Sequence, residues 1–198
     1  MPKSNLHGIL FTARDCYINE GRTGESVIRE AFQQTVGRDA TPDEVKTIYA
    51  EKSAYYHRLI NTATPTIPGV AEVLQFVKES GSQIWVVTGS GMRTLLDSLN
   101  TVFPSIFQRD RMITALDVTH GKPDPEPYLK AWERSGVAKE QCVVIENAPL
   151  GIRSGKAAGL TVYAVNTGIL TKEDLSQADK VFDNMAELLA YLQASSKL

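Results

Sequence analysis

The sequence predicts an α/β protein in which a doubly wound parallel sheet follows a helical N-terminal third. From about residue 70 onward, short apolar strands alternate with amphipathic helices. These strands are continuous apolar runs without polar alternation, as expected when helices cover both faces of a parallel sheet. The first third shows only helical periodicity, with apolar residues three and four positions apart. Together these observations indicate a helical domain followed by an α/β core.

Two helices are predicted in the first third. The first begins after Thr23 and ends at Gly37, a residue type that favours helix C-termini. The second begins at Thr41, which forms a capping-box pattern with Glu44. Lys52 is the only charged residue on the apolar face of this second helix. On its own, it is best interpreted as a side chain whose charged end reaches solvent.

The segment 61–69, rich in Pro and Thr, predicts a hinge or domain boundary. We therefore expect a helical domain over residues 1–64 and the α/β core over residues 65–198. The core elements are predicted as helices at 70–79, 91–101, 126–135, 149–158 and 185–193, and as strands at 83–88, 112–114, 142–145, 161–165 and 181–182. Ligands of such cores bind beyond the carboxyl ends of the strands. The loops that follow those ends are therefore the places to search for a site.

Composition excludes several classes of protein. The 198 residues are 42% hydrophobic and 22% charged, which is typical of a soluble globular protein. With 21 basic and 23 acidic side chains, the net charge of −2 provides no field that attracts nucleic acid or an anionic membrane. Two cysteines are too few for a disulfide framework, and no apolar run is long enough for a signal peptide or membrane helix. We expect a cytoplasmic protein with neither nucleic-acid nor membrane partners.

The turn after the strand at 83–88 offers groups that bind anions. Thr88, Gly89 and Ser90 combine hydroxyls with small residues before a predicted helix. Hydroxyl donors and free backbone N–H groups at a helix start can hold a phosphate. The same pattern is also typical of a tight turn capped by Ser90, so this motif is weak when taken alone.

Two later loops each carry a charged residue. Lys122 lies among three prolines at 120–127, so a stiff backbone can present its ammonium to a phosphate with little loss of entropy. The alternative is an exposed lysine on a rigid loop. Glu146 directly follows a buried strand and needs a partner, for which a divalent cation or a lysine would serve. Its alternative is an acid at a helix start, with Asn147 as N-cap.

In this order the three loops resemble the motifs of the haloacid dehalogenase-like superfamily, and within it the β-phosphoglucomutase-like phosphatases and mutases with a helical cap. Thr88 matches the second motif, Lys122 the third, and Glu146 with Asn147 the fourth. The segments at 20–24 and 67–70 resemble the cap and the return from cap to core. The resemblance covers nearly the whole chain and implies a Rossmann-like core with a helical cap domain.

The resemblance implies a role for each matching residue. It implies a phosphatase or mutase that acts with Mg²⁺ on a small phosphorylated metabolite such as a sugar phosphate. Phosphate binding is implied for Thr88, Gly89, Ser90 and Lys122, and catalysis for Lys122 and Thr88. In the cap, Arg22 and Lys52 are implied to contact the distal part of the substrate. Metal binding is implied for Glu146 and Asn147. On spacing alone, Arg22 is equally well a solvated loop arginine.

The superfamily's first motif, Asp-x-Asp at the end of the first strand, has no match here. In one alignment, residues 6–11 imitate the first strand and place Thr12 and Arg14 at the two Asp positions. In the other, which we favour, residues 7–17 already belong to the cap and the first strand is absent. Either alignment removes the nucleophile, because Thr12 lacks a base and an arginine cannot act as one. Asp15 does not fall at the motif's position in either.

Three expectations follow. The chain is an impaired phosphotransferase, or alternatively a non-catalytic phospho-ligand binder or regulatory remnant. Magnesium binding is weak or absent, because Glu146 is the only acid at the matched positions and Asn147 supplies a neutral oxygen. The slot between the strands that end at Thr88 and Ile145 is filled by residues 8–12, by another chain or by a rearranged sheet, because unpaired buried strand edges are costly.

Overall fold

A computed structural model of the chain describes residues 7–9, 12–60, 66–91 and 95–195. The first part is helical, as predicted, with α1 at Ala13–Ile18, α2 at Gly24–Val36 and α3 at Pro42–Ile60. Gly37 ends α2 in the left-handed conformation. The predicted capping box of α3 is confirmed, since Thr41 and Glu44 each accept a hydrogen bond from the other's backbone N–H.

The second part alternates helices and strands, as the sequence predicts. The elements in chain order are α4 (Val70–Glu79), β1 (Val86–Val87), α5 (Leu95–Val102), β2 (Met112–Ile113), α6 (Glu126–Ser135), β3 (Val143–Glu146), α7 (Pro149–Ala157), β4 (Thr161–Val165), β5 (Lys180–Phe182) and α8 (Met185–Ser195). The strand predicted at 83–88 is correct in place but is reduced to two residues. The helix predicted at 91–101 is described as α5 from Leu95 to Val102, and residues 92–94 lie outside the described part of the chain.

In the described part of the chain, the strand pairs are parallel and form two sheets. β1 pairs with β2, and β4 pairs with β3 on one side and β5 on the other. Successive residues of β4 face opposite sides. Val162 and Ala164 pack into a core with α6 and α7, whereas Tyr163 and Val165 pack into a second core with α4 and α8. Helices therefore cover both faces, which confirms the doubly wound α/β class.

A cleft of about 1560 Å³ separates β1 from β3 and is lined by residues of both strands. Residues 8–12 are one of the three predicted occupants of this position. For Ile9 and Thr12 this prediction is wrong. Ile9 packs on a cluster of α2 and α3 residues, and Thr12 is the N-cap of α1. Residues 10 and 11 lie outside the described part of the chain.

The N-terminal helix favours the second of the two alignments. α1 begins immediately after Thr12 and leads through a turn into α2, so this region is helical before the loop at 20–24. Tyr17 and Ile18 pack against the core cluster beside α6 and α7. Arg14 forms a two-pronged ion pair with Asp174, at 2.6 and 2.7 Å. Among the described helices, none is long and apolar enough to cross a membrane.

Candidate active site

Lys122 lies at the carboxyl ends of β1 and β3, where the sequence predicts a ligand site. Its side chain is 6% exposed. The ammonium donates to Glu146 Oε1 at 2.6 Å and to the Val87 carbonyl at 3.0 Å. It also lies 4.8 Å from the centre of the Tyr128 ring. The interpretation of Lys122 as an exposed surface lysine is therefore wrong.

The loop that carries Lys122 is held at several points. Its Lys122–Pro123 peptide bond is cis. Ser154 is fully buried in α7 and donates its hydroxyl to the Asp124 carbonyl at 2.6 Å. Glu126, at the start of α6, accepts from the backbone N–H groups of Thr119 and His120. The position of the ammonium is thus fixed by the surrounding fold as well as by the prolines.

Glu146 ends β3 and has its partners inside the protein. Lys122 and the Tyr128 hydroxyl both donate to Oε1, at 2.6 and 2.5 Å, and the Asn147 N–H donates to Oε2. Of the two partners that the sequence allowed, the structure contains the lysine. Burial, followed by the nearby Glu146 carboxylate, raises the pKa of Tyr128 well above its usual value.

The start of α7 differs from the predicted cap. Ala148, not Asn147, is the N-cap residue, and no side chain caps this end. Asn147 instead donates its amide to Glu20 at 2.9 Å. A Cβ at Gly151 would lie 2.0 Å from the Glu146 carboxylate, so only glycine lets this helix approach the site so closely.

The turn at 88–90 closes the other side of the site. Thr88 Oγ1 accepts from the Ser90 N–H at 3.1 Å, and the Thr88 N–H donates to Ile113 of β2. Gly89 lies directly against the loop at 20–24, because a Cβ there would be 2.5 Å from the Arg22 carbonyl oxygen. The predicted capping role of Ser90 depends on residues 92–94, which lie outside the described part of the chain.

The residues assigned to the cap line the same cleft. Arg22 and Lys52 border it together with Thr88, Lys122 and Glu146. Arg22 donates from Nε to Asn19 Oδ1 at 3.1 Å, and another of its nitrogens lies 3.7 Å from Glu30. Lys52 is exposed on α3.

Glu20 and Tyr128 belong to the site but were not singled out from the sequence. Enclosure by protein atoms raises the pKa of Glu20, and the Glu146 carboxylate raises it further. The signal for Glu20 was its position in the loop that resembles the cap. Tyr128 lies six residues after Lys122, in the first turn of α6, and its ring packs into the core cluster that contains Val144 of β3.

The described residues that could hold Mg²⁺ here are Glu146, Asn147 and Glu20. Mg²⁺ prefers an octahedral shell of oxygens with one or two carboxylates. Both oxygens of Glu146 already accept N–H or O–H donors, and Asn147 is turned toward Glu20. In this arrangement both oxygens of Glu146 and one oxygen of Glu20 are engaged by donors of the chain itself.

Thr12, Arg14 and Asp15, the residues that the alignments compared with the first motif, do not line the cleft. The Thr12 hydroxyl donates to Asp15 at 2.6 Å within the capping box of α1. These hydrogen bonds lower the pKa of Asp15. None of the three is placed to attack a phosphoryl group beside Lys122.

Comparison with known proteins gives a consistent relationship. The sequence pattern of the haloacid dehalogenase-like hydrolases matches residues 12–165. A validoxylamine A 7'-phosphate phosphatase from Streptomyces hygroscopicus subsp. limoneus is 32% identical over 172 residues, 83% of this chain and 79% of that protein. A phosphorylated carbohydrates phosphatase from Thermotoga maritima is 30% identical over 152 residues, 74% of this chain and 67% of that protein.

A solved structure agrees. A candidate β-phosphoglucomutase from Bacteroides vulgatus is 41% identical and superposes with a TM-score of 0.85, over 96% of this chain and 78% of that one. Pattern, sequence and fold thus point to one group of proteins. The chain belongs to the haloacid dehalogenase-like hydrolase family, on its β-phosphoglucomutase-like branch.

Proposed function

We propose that this protein binds a small phosphorylated metabolite, such as a sugar phosphate, with the phosphoryl group between the 88–90 turn and Lys122. The observation that carries the proposal is the position of the Lys122 ammonium. An ammonium has three N–H donors, and two of them are used by Val87 and Glu146. The third can serve a phosphate oxygen. The relatives from Streptomyces hygroscopicus and Thermotoga maritima support this substrate class, since both are phosphatases of phosphorylated compounds.

We assign residues 1–64 as a cap over a core of residues 65–198. Arg22 and Lys52 line the cleft from the helical part of the chain. This placement lets them contact the part of the substrate away from the phosphoryl group. Their positive charges favour a substrate with further hydroxyl or acidic groups.

Phosphatases of this family generally use Mg²⁺, which neutralises charge on the transferring group when bound. We propose that this chain binds the ion weakly, because Glu146 is already hydrogen-bonded at both oxygens. We further propose that turnover is impaired, because the described residues hold no free carboxylate beside Lys122 that could act as nucleophile. The resemblance places that role on an aspartate.

A second candidate function is phospho-ligand binding without catalysis. The observation that favours it is the ion pair between Lys122 and Glu146, in which each charge is balanced by the other without a metal ion. The two candidate functions share the phosphate site between the 88–90 turn and Lys122 and differ only in turnover. One set of measurements therefore distinguishes them.

The test combines thermal unfolding with a turnover assay. Glucose 1-phosphate should raise the Tm of the wild type, and the Lys122→Met and Thr88→Val variants should lose this rise. The exposed Thr47→Val on α3 is the control and should keep it. Absence of any rise in the wild type, or an equal rise in Lys122→Met, overturns the binding proposal.

Turnover is measured with p-nitrophenyl phosphate and Mg²⁺. We expect hydrolysis far below the kcat of roughly 1 s⁻¹ or more of ordinary enzymes. A kcat in that ordinary range, lost in Lys122→Met, would overturn the proposed impairment but not the proposed phosphate site at Lys122. Isothermal titration with MgCl₂ gives a separate readout, and tight uptake would contradict weak metal binding.

A further inference from the structure

The loop at 20–24 brings a carboxylate next to the proposed phosphate site. Gly21 lies directly against the Lys122 side chain, because a Cβ at Gly21 would be 2.7 Å from Lys122 Cδ. Gly21 also has a φ of 95°, a conformation that glycine adopts at little cost. The backbone of this loop is therefore held beside Lys122, and Glu20 is the residue immediately before it. Glu20 lines the same cleft as Lys122 and Glu146.

The Glu20 carboxylate has an acceptor that the described part of the chain does not use. Its Oε2 accepts a hydrogen bond from the Asn147 side-chain amide at 2.9 Å. Its Oε1 accepts none from the residues that the structure describes, and Glu20 is exposed. A carboxylate oxygen can only accept hydrogen bonds. Oε1 is therefore available to an O–H or N–H donor of a ligand.

The charges around Glu20 favour a neutral donor over a second anion. Lys122 and Glu146 are paired at 2.6 Å, so their charges largely offset each other. Burial raises the pKa of Glu20, and of the two nearby charges Glu146 raises this pKa further whereas Lys122 lowers it. An ionised Glu20 thus adds a negative charge to a pair that is already balanced. It attracts a hydroxyl donor and repels an anion placed beside it.

Arg22 of the same loop does not neutralise this charge. Its Nε donates to Asn19 Oδ1 at 3.1 Å, and another of its nitrogens lies 3.7 Å from Glu30 of α2. Both partners belong to the helical part of the chain, so the guanidinium is held on that side. Among the described residues, Glu20 therefore has the Asn147 amide as its partner and no paired cation.

We propose that Glu20 is a specificity-determining residue, which selects phosphate esters that carry a free hydroxyl near the phosphoryl group and disfavours esters with a second anionic group there. This inference rests on the phosphate site proposed at Lys122. The ligand hydroxyl donates to Glu20 Oε1 while the phosphoryl group contacts Lys122. An ester without this hydroxyl covers the carboxylate oxygen and leaves it without a partner, which lowers affinity.

The test compares three-carbon phosphate monoesters by isothermal titration. Glycerol 3-phosphate offers two hydroxyls, propyl phosphate offers none, and 3-phosphoglycerate has a carboxylate in place of the terminal hydroxyl. EDTA is present, so that no metal ion bridges the ligand and the carboxylates. We expect the wild type to bind glycerol 3-phosphate at least about tenfold more tightly than either of the other esters. Equal affinities for the three esters would overturn the inference.

Two variants separate the hydrogen bond from the charge. Glu20→Ala removes both and should lose both preferences. Glu20→Gln keeps a neutral hydrogen-bonding group, so it should still prefer glycerol 3-phosphate to propyl phosphate but should no longer discriminate against 3-phosphoglycerate. Glu25→Ala is the matched control and should behave as the wild type, since Glu25 is an exposed acid of α2 that does not line the cleft. Wild-type preferences in Glu20→Ala would overturn the role of Glu20.

Glucose 1-phosphate distinguishes this inference from the proposed function. If it raises the Tm of the wild type but glycerol 3-phosphate is not preferred among the three esters, the phosphate site stands and the role of Glu20 is wrong. If neither glucose 1-phosphate nor any of the three esters binds, the phosphate site is itself wrong, and the inference fails with it. Because Glu20 is exposed, both of its variants should fold, and their urea unfolding midpoints check this.

Discussion

The Lys122 ammonium lies 2.6 Å from Glu146 Oε1, and the two side chains are only 6% and 8% exposed. The pair connects the loop before α6 to the end of β3, and through Val87 it also reaches the end of β1. A buried ion pair is retained only when additional hydrogen bonds satisfy both groups. Here Tyr128, Asn147 and the Val87 carbonyl provide them. The same atoms thus stabilise the fold and form part of the proposed phosphate site.

Removing one member of the pair should destabilise the protein strongly. Lys122→Met leaves the Glu146 carboxylate buried with its cation gone, and we expect a loss of about 3–5 kcal/mol in the free energy of unfolding. Lys156→Met, which breaks a surface pair with Asp179 at 40% and 38% exposure, should cost about 0–1 kcal/mol. Urea unfolding measures both. The double variant Lys122→Met, Glu146→Leu should lose less than Lys122→Met alone. A larger loss in the double variant would contradict this account of the pair.

The Tyr128 hydroxyl should contribute separately. Tyr128→Phe removes one donor to Glu146 Oε1 and should cost about 1–3 kcal/mol, because a buried charged acceptor loses a partner. Tyr55→Phe is the control, since Tyr55 is 49% exposed on α3. In the wild type, ultraviolet titration should show a tyrosine that ionises only when the protein unfolds in alkali. This follows from the raised pKa of Tyr128, and ordinary ionisation of all tyrosines in the folded protein would refute it.

The sequence predicted the elements whose signals are local. The helices at 70–79 and 126–135 match because apolar periodicity and the residues at their ends define them. β4 matches at 161–165 because a continuous apolar run between two helices has few alternatives. The strand at 83–88 was predicted too long. Its extent depends on pairing with β2, which has only two residues, and the apolar run does not reveal that partner.

Two features of the candidate site were predictable, because each depends on one local stretch of sequence. The proline-rich loop indicated a fixed Lys122, and the end of β3 indicated a paired Glu146. Contacts between distant parts of the chain were not predictable. Asn147 meets Glu20 across 127 positions, and this contact replaces the N-cap role that its position beside a helix suggested. Tyr128 was missed for the same reason, since its role depends on how α6 packs into the core cluster that contains Val144 of β3.

The loop before Lys122 should loosen in acid. Hydrogen bonding by Lys130, then by the Thr119 and His120 N–H groups, lowers the pKa of Glu126 from 4.5 to about 2. Because the folded state prefers the charged carboxylate, its stabilisation is complete above the unfolded pKa near 4.5 and is lost as the pH falls through about 2. Glu126→Gln should therefore be less stable than wild type at pH 7, and the difference should shrink toward pH 2.

Urea unfolding at a series of pH values tests this prediction. Glu133 lies on the same helix α6 but is exposed, and it has no hydrogen-bond or ion-pair partner among the described residues. Glu133→Gln therefore removes a carboxylate without removing a contact. It is the matched control and should follow the wild type throughout. A stability difference between Glu126→Gln and wild type that stays constant down to pH 2 would mean that the carboxylate charge has no role in holding the loop.

The contact between the loop at 20–24 and the 88–90 turn depends on the absence of a side chain at Gly89. A Cβ there would lie 2.5 and 2.6 Å from the carbonyl oxygens of Arg22 and Gly21. These are backbone atoms, which cannot rotate away. Gly89→Ala should therefore displace the loop and cost about 1–3 kcal/mol, as overpacking does. Gly91→Ala is a control in the same turn, since its nearest contact would be Leu116 at an ordinary 3.7 Å. Equal unfolding free energies for the two variants in urea would show that the loop does not rest on Gly89.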